Sequence, residues 1–203
     1  MKNIIKLLLG AVIVAATSCS GNADKGATDT DSVANINSNS TDAAIDSNNK
    51  ELKTKDSTQV KADYEFAVEA ANGGMLEVAL GKLAQTKASS PKVVEFAKMM
   101  VTDHSKANAE LKAIAGAKFI TLPAILSNAF QKDYDDMAKL DKMDFDKAYT
   151  DYMVKDHKED IDEFKKEAES GKDAELKAFA TKHVPILQHH LEMAQQANDA
   201  VKK

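Results

Sequence analysis

The fold is decided by the stretch PKVVEFAKMMVTDHSKANAELKAIAG, which occupies residues 91–116. Side chains suited to a core recur along it at alternating spacings of four and three, the period that places them on one face of an α-helix. The members of this series are one imidazole and six apolar side chains: His104, with Val93, Ala97, Met100, Ala107, Leu111 and Ile114. The stretch predicts a helix over about 91–115 that turns an imidazole toward the core.

Breaks in this period divide the second part of the chain into helices. Ser89-Ser90-Pro91 supplies a cap and a first-turn proline, and Ser170-Gly171 ends a later helix. Phe96-Ala97 and Phe179-Ala180 each begin a helix after a short polar turn, which indicates two related hairpins. The predicted fold is all-α, a four-helix bundle of two hairpins joined by a short helical crossover. The expected ranges are 63–87, 91–115, 144–169 and 173 to the end for the helices, and about 121–140 for the crossover.

The composition excludes several classes of function. The 203 residues are 43% hydrophobic and 29% charged, the balance of a globular domain, and the formal net charge is -5. Every basic side chain is a lysine, so the chain lacks the guanidinium fork that favours phosphate recognition. We therefore expect no nucleic-acid partner. A single cysteine, Cys19, excludes an intrachain disulfide and a cysteine-rich metal site.

The first residues have the zones of a bacterial export signal. Two lysines precede the apolar run 7–16, which has the length of a signal-peptide core and is short for a permanent membrane span. The small residues before Cys19 resemble the lipobox, at which a cysteine is acylated. The pattern predicts a signal peptide at 1–18 and a lipid on Cys19 that anchors an exported protein to the membrane. The alternative is ordinary secretory cleavage near Ala16, with Cys19 as an idle thiol.

Residues 19–61 are rich in serine, asparagine, aspartate and threonine and contain only isolated apolar residues. Burial of this small apolar surface cannot offset the entropy lost when the chain is ordered. We therefore expect a flexible spacer, followed by a bundle domain at 62–203. Ser20 is not the aspartate that retains lipoproteins in the inner membrane of some bacteria. The preferred location in the cell envelope is therefore the outer membrane.

Each predicted helix carries a polar side chain on its apolar seam, where burial without a partner costs several kcal/mol. The inward candidates are Glu77, His104, His157, His183 and His190, the last two both on the fourth helix. Asp103 and Asp156 precede two of these histidines and are expected to orient an imidazole on a neighbouring helix. Residue counts from the hairpin turns favour His183 over His190, unless a kink at Pro185 brings His190 back.

Two interpretations of these side chains stay open. Imidazoles and a carboxylate from facing helices suit a divalent transition metal such as Fe, Zn, Cu or Mn. The same groups can instead form a hydrogen-bonded network that fixes helix register in a membrane-tethered structural or interaction module. No histidine follows a glutamate at the spacing Glu-x-x-His, so a ferritin-type di-iron centre is not expected. An enzymatic role is the weakest expectation, because no nucleophile or substrate pocket can be named.

Four short motifs carry a family resemblance: Gly73-Gly74-x-Leu76-Glu77, Met100-Val101-x-Asp103-His104, Met153-Val154-x-Asp156-His157 and Pro185-x-Leu187-x-x-His190. Together they resemble a family of exported bacterial proteins that is catalogued as a domain of unknown function and often labelled "predicted outer membrane protein". The resemblance covers about 62–200 and implies export and a ferritin-like four-helix bundle without an established activity. Its pattern includes His190 and not His183, so it ranks His190 first on the fourth helix.

Overall fold

The computed structural model describes residues 40–52 and 58–202, and within these ranges it contains six α-helices and no strand. The helices are α1 (Thr41–Leu52), α2 (Thr58–Lys87), α3 (Pro91–Ala117), α4 (Asn128–Ala138), α5 (Lys142–Ser170) and α6 (Ala174–Val201). The predicted all-α class is confirmed. None of the helices in the described ranges is long and apolar enough to cross a membrane. The predicted signal peptide at 1–18 and Cys19 lie outside the described residues.

The four long helices form two hairpins that pack on each other. In the first hairpin α2 pairs with α3, and in the second α5 pairs with α6. Contacts of α3 with α6 and of α2 with α5 join the hairpins into a four-helix bundle, as predicted. The helix α2 begins earlier than predicted, at Thr58, and α6 continues through Pro185 as one helix.

The crossover is less helical than predicted, because α4 covers only part of the expected range 121–140. Side chains of α1 and α2 form hydrogen bonds with backbone groups of the loop that precedes α4. The N–H of Thr121 donates to Asn48 Oδ1 at 2.8 Å, and the carbonyl of Thr121 accepts from Asn48 Nδ2 at 3.0 Å. The N–H of Ser127 donates to Asn72 Oδ1 at 3.0 Å. The Ser127 hydroxyl then caps α4, which begins at the next residue.

The flexible spacer predicted for 19–61 is wrong for residues 41–52, which form α1. This helix packs on α2 and buries Thr41, Ala44 and Asn48. The composition of the segment does not reveal the helix, because some of its contacts are polar and distant in sequence: Asn48 bonds the backbone of Thr121, 73 residues away. Ser40 precedes α1, residues 58–61 belong to α2, and residues 19–39 and 53–57 of the predicted spacer lie outside the described residues.

Two buried carboxylates join the ends of the hairpins. Asp146, near the start of α5, accepts from the N–H of Ser89 at 3.1 Å, from the N–H of Ser90 at 2.8 Å and from the Ser89 hydroxyl at 2.6 Å. Asp63, near the start of α2, accepts from the backbone N–H groups of the turn before α6. Each hairpin therefore uses a carboxylate of its first helix to hold the N-terminus of the other hairpin's second helix.

We predict that Asp146→Ala lowers the free energy of unfolding by roughly 2–3 kcal/mol, because it leaves the start of α3 without its charged acceptor. Asp144→Ala removes an exposed acidic residue from the same end of α5 and is the matched control, with an expected cost below about 1 kcal/mol. Urea unfolding followed by circular dichroism measures both values. Equal costs would show that the contact between hairpins contributes nothing of its own.

Candidate functional site

A polar layer divides the core of the bundle. Along α3, for example, His104 lies between Met100 of one apolar cluster and Leu111 of the other, and α5 and α6 repeat this order. The layer consists of Glu77 from α2, His104 from α3, His157 from α5 and His190 from α6. All four residues are buried, with at most 6% of their surface exposed. Every long helix therefore contributes one polar side chain to the centre of the bundle.

Each imidazole of the layer has one ring nitrogen next to an oxygen atom. The three contacts are His104 Nδ1 with Glu77 Oε2 at 2.6 Å, His157 Nδ1 with the Met153 carbonyl at 3.0 Å, and His190 Nε2 with Asp103 Oδ2 at 3.3 Å. The remaining nitrogens of His104 and His190, Nε2 and Nδ1, are 3.1 Å apart. One ligand atom from each of the three rings lies within 4.8 Å of the others. Small side-chain movements would let one ion, with bonds of about 2 Å, reach all three.

The protonation state of the His157 ring can be assigned from its contacts. Its Nδ1 must carry the proton, because the Met153 carbonyl can only accept, and Nε2 is left with a bare lone pair. That nitrogen is buried without a hydrogen-bond partner among the described residues. It lies 3.5 Å from Glu77 Oε1, which is likewise buried and unpartnered. Each unsatisfied atom costs about 1–3 kcal/mol, and such costs are accepted where a ligand binds.

Burial holds the three imidazoles in the neutral form. Desolvation lowers the pKa of His104 and that of His190 to about 4. Desolvation, followed by the charges of the two neighbouring rings, lowers the pKa of His157 well below its ordinary value. The pKa of Glu77 is raised well above its ordinary value by the same loss of water. Neutral imidazole is the form that binds a metal ion, so the rings need no deprotonation near neutral pH.

The structure brings together four of the five inward candidates, and His183 is the one left out. Its Nδ1 donates to the Phe179 carbonyl at 2.8 Å, and its Nε2 is 3.8 Å from Glu110 Oε2. Asp103 contacts the ring of His190 on α6, the place expected for a carboxylate that orients an imidazole on a neighbouring helix.

Asp156 was expected to orient an imidazole on a neighbouring helix. In the structure it lies next to other carboxylates instead. Its ligand atom and those of Glu77, His157 and Asp160 lie within 4.8 Å of one another. The candidate residues predicted from the sequence do not include Asp160, although its spacing from a capping aspartate could have indicated it. Asp160 follows the capping Asp146 by the same fourteen residues that separate Glu77 from the capping Asp63.

A cleft of about 480 Å³ reaches the polar layer, and Glu77, His104 and His190 are among its lining residues. Gly73, one helical turn before Glu77, also lines it, and a Cβ built there would meet nothing within 4 Å. The absence of a side chain at this position keeps space open beside Glu77. A small ion or molecule can therefore approach the imidazoles from the cleft.

The fold and the layer together define an all-helical bundle protein with a buried cluster of imidazoles and carboxylates. The family model of a domain of unknown function, DUF4142, matches residues 49–197, and the chain belongs to this family. Comparison of the chain with the curated proteins and with the solved structures found no significant match. The predicted membership in a family of unknown function is confirmed. The matched range contains the whole polar layer, but the family assigns no activity to it.

We predict that His157→Leu leaves the metal-free protein as stable as the original, or stabilises it by up to about 2 kcal/mol. Leucine has a similar volume and removes a buried nitrogen that lacks a partner. A layer that serves only to hold the helices together predicts the opposite, a loss of more than about 1 kcal/mol. Urea unfolding in the presence of a chelator distinguishes these outcomes. His183→Leu, which removes a buried histidine outside the layer, is the control for the change of side-chain polarity.

Proposed function

We propose that this protein binds a divalent transition-metal ion through His104, His157 and His190. The observation that carries the proposal is the pairing of the ring nitrogens: one nitrogen of each ring meets an oxygen, which leaves the other available within a buried cluster. Histidines that ligate metals have this arrangement, because the outer hydrogen bond fixes the tautomer and makes the ring a stronger ligand. In this proposal Glu77 and Asp103 orient the rings.

The donor set and its surroundings favour particular ions. Imidazole suits Zn, Cu and Fe, and affinity at nitrogen sites increases from Mn²⁺ to Cu²⁺ along the first transition series. We therefore expect Cu²⁺ and Zn²⁺ to bind more tightly than Mn²⁺ at the imidazoles. A site with three protein ligands keeps one position for water or another small ligand. The cleft lined by His104 and His190 supports access to such a position.

One observation also supports the competing proposal of a structural module. The contacts of His104 with Glu77 at 2.6 Å and with His190 at 3.1 Å join α2, α3 and α6 without any ion. Such a network would fix the register of the helices. It does not explain why Glu77 Oε1 and His157 Nε2 are both buried without partners among the described residues.

We also propose that the bundle is exported and tethered to the cell envelope by a lipid on Cys19, with the outer membrane as the preferred location. The support lies in the sequence alone, in the apolar run 7–16 and the small residues that precede the cysteine. The helices of the described part offer no membrane span, so attachment through the described part would need another contact.

The first test is metal binding by the purified chain after treatment with a chelator. One equivalent of Zn²⁺ or Cu²⁺ should bind, and free metal at about 100 times the dissociation constant should add about 2.7 kcal/mol to the free energy of unfolding. His104→Ala and His190→Ala should each weaken binding at least about tenfold. His189→Ala, which removes an exposed histidine of the same helix as His190, is the matched control and should change nothing. Calorimetry and thermal unfolding provide the measurements.

The proposal fails if Fe, Zn, Cu and Mn all leave the thermal stability of the protein unchanged. It also fails if the alanine variants at His104 and His190 bind metal as tightly as the original protein. Under the structural alternative, these variants change stability and no metal effect exists in any of them.

The lipid anchor has its own test, the substitution Cys19→Ser. The variant should move from the membrane fraction to the soluble fraction and lose the incorporation of labelled fatty acid, because the acylated thiol is gone. Ser20→Ala leaves the cysteine intact and should behave like the original protein. Recovery of the original protein in the soluble fraction without label would favour ordinary secretory cleavage near Ala16.

A further inference from the structure

A group of carboxylates lies next to the imidazoles. It comprises carboxylate oxygens of Glu77, Asp156 and Asp160, which lie within 4.8 Å of one another and of a nitrogen of His157. Glu77 is a member of this group and also contacts His104. Its Oε2 contacts His104 Nδ1 at 2.6 Å, whereas its Oε1 has no hydrogen-bond partner in the described part of the chain.

Two oxygen atoms of this group, one from Glu77 and one from Asp156, are buried without a protein donor among the described residues. Asp156 Oδ2, like Glu77 Oε1 and His157 Nε2, is buried and lacks a hydrogen-bond partner among residues 40–52 and 58–202. Glu77 is 2% exposed and His157 is fully buried. Ionised carboxylates only accept hydrogen bonds, so the three cannot satisfy one another. Added protons or a cation can satisfy them.

The charges at this point favour a cation. The carboxylates of Glu77, Asp156 and Asp160 lie side by side, so their negative charges repel one another. A divalent cation among them removes this repulsion. Lys155 lines a cavity next to these carboxylates. Its side chain is exposed, and its Nζ pairs with Glu159 Oε1 at 3.4 Å.

A cavity of about 270 Å³ leads to the oxygen group and shares only Gly73 and Asp160 with the larger cleft. Besides Asp156 and Asp160, its acidic lining residues are Glu69, Asp133, Glu159 and Glu163. A cavity lined by one sign of charge concentrates ions of the opposite sign. The acidic cavity reaches the oxygen group through Asp156 and Asp160, and the larger cleft reaches it through Glu77 and Asp160.

We propose that Glu77, Asp156 and Asp160 form a second cation site, which takes a hard divalent ion such as Mn²⁺ beside the imidazole site. Carboxylate oxygens are the ligands that Mn²⁺, Mg²⁺ and Ca²⁺ prefer, whereas imidazoles favour the later transition metals. This inference rests on the proposed function only in treating the three imidazoles as a separate site.

The test is Mn²⁺ binding by the purified chain, with and without one equivalent of Zn²⁺, followed by the loss of the electron paramagnetic resonance signal of free Mn²⁺. One Mn²⁺ per chain should bind in both cases. Asp156→Asn and Asp160→Asn should each weaken Mn²⁺ binding at least about tenfold and leave Zn²⁺ binding within about threefold. Asp162→Asn changes an exposed residue of the same helix and should have no effect. Circular dichroism verifies that these nearly isosteric variants are folded.

The histidine variants separate the two proposals. His104→Ala and His190→Ala should lose Zn²⁺ and keep Mn²⁺ within about threefold. If they lose Mn²⁺ as well, the two groups form a single site and the inference is overturned. It is overturned equally if no Mn²⁺ binds, or if both asparagine variants bind it as tightly as the original protein. Mn²⁺ binding without Zn²⁺ binding in the original protein supports the carboxylate site and refutes only the imidazole site.

Discussion

The bundle is built around a layer of polar side chains that is buried in its core. Glu77 and three imidazoles interrupt the core, and apolar clusters lie on either side of them. Each large apolar side chain contributes roughly 1.5–3 kcal/mol on burial, so the two clusters can offset the cost of the layer. The contacts within the layer exist at one relative height of the helices. Sliding α6 by one turn along α3 would break the contact between His190 and His104.

A shift of 83 residues relates the two hairpins. It carries the capping Asp63 onto the capping Asp146 and the start of α3 onto the start of α6. It also carries Glu77 onto Asp160, but His157 corresponds to Gly74. The framework of helices and caps therefore follows the repeat, whereas the imidazoles do not. As a result the three imidazoles lie on α3, α5 and α6, and the carboxylates of the oxygen group lie on α2 and α5.

The sequence predicts the four long helices because their signals are local: the period of the apolar residues and the turn residues between helices. It does not predict α1, which depends on a hydrogen bond between Asn48 and the distant Thr121. Counts from the hairpin turns favour His183 over His190 because they measure height only within one hairpin. The height of α6 against α3 is set by packing between hairpins, which residue spacing does not report. The imidazole group contains His190, and His183 lies beside Phe179 and Glu110 instead.

In the proposed arrangement Glu77 links the nitrogen and oxygen groups, so its protonation governs whether both can hold an ion. As a neutral acid, Glu77 offers no charge to offset the repulsion between two divalent cations. As a carboxylate, it places a negative charge between them and accepts a hydrogen bond from His104 Nδ1, which leaves the other ring nitrogen free for a metal. A cation at the oxygen group favours the carboxylate form. Because Glu77 lies between the two groups, any effect of binding at one group on binding at the other must be reciprocal.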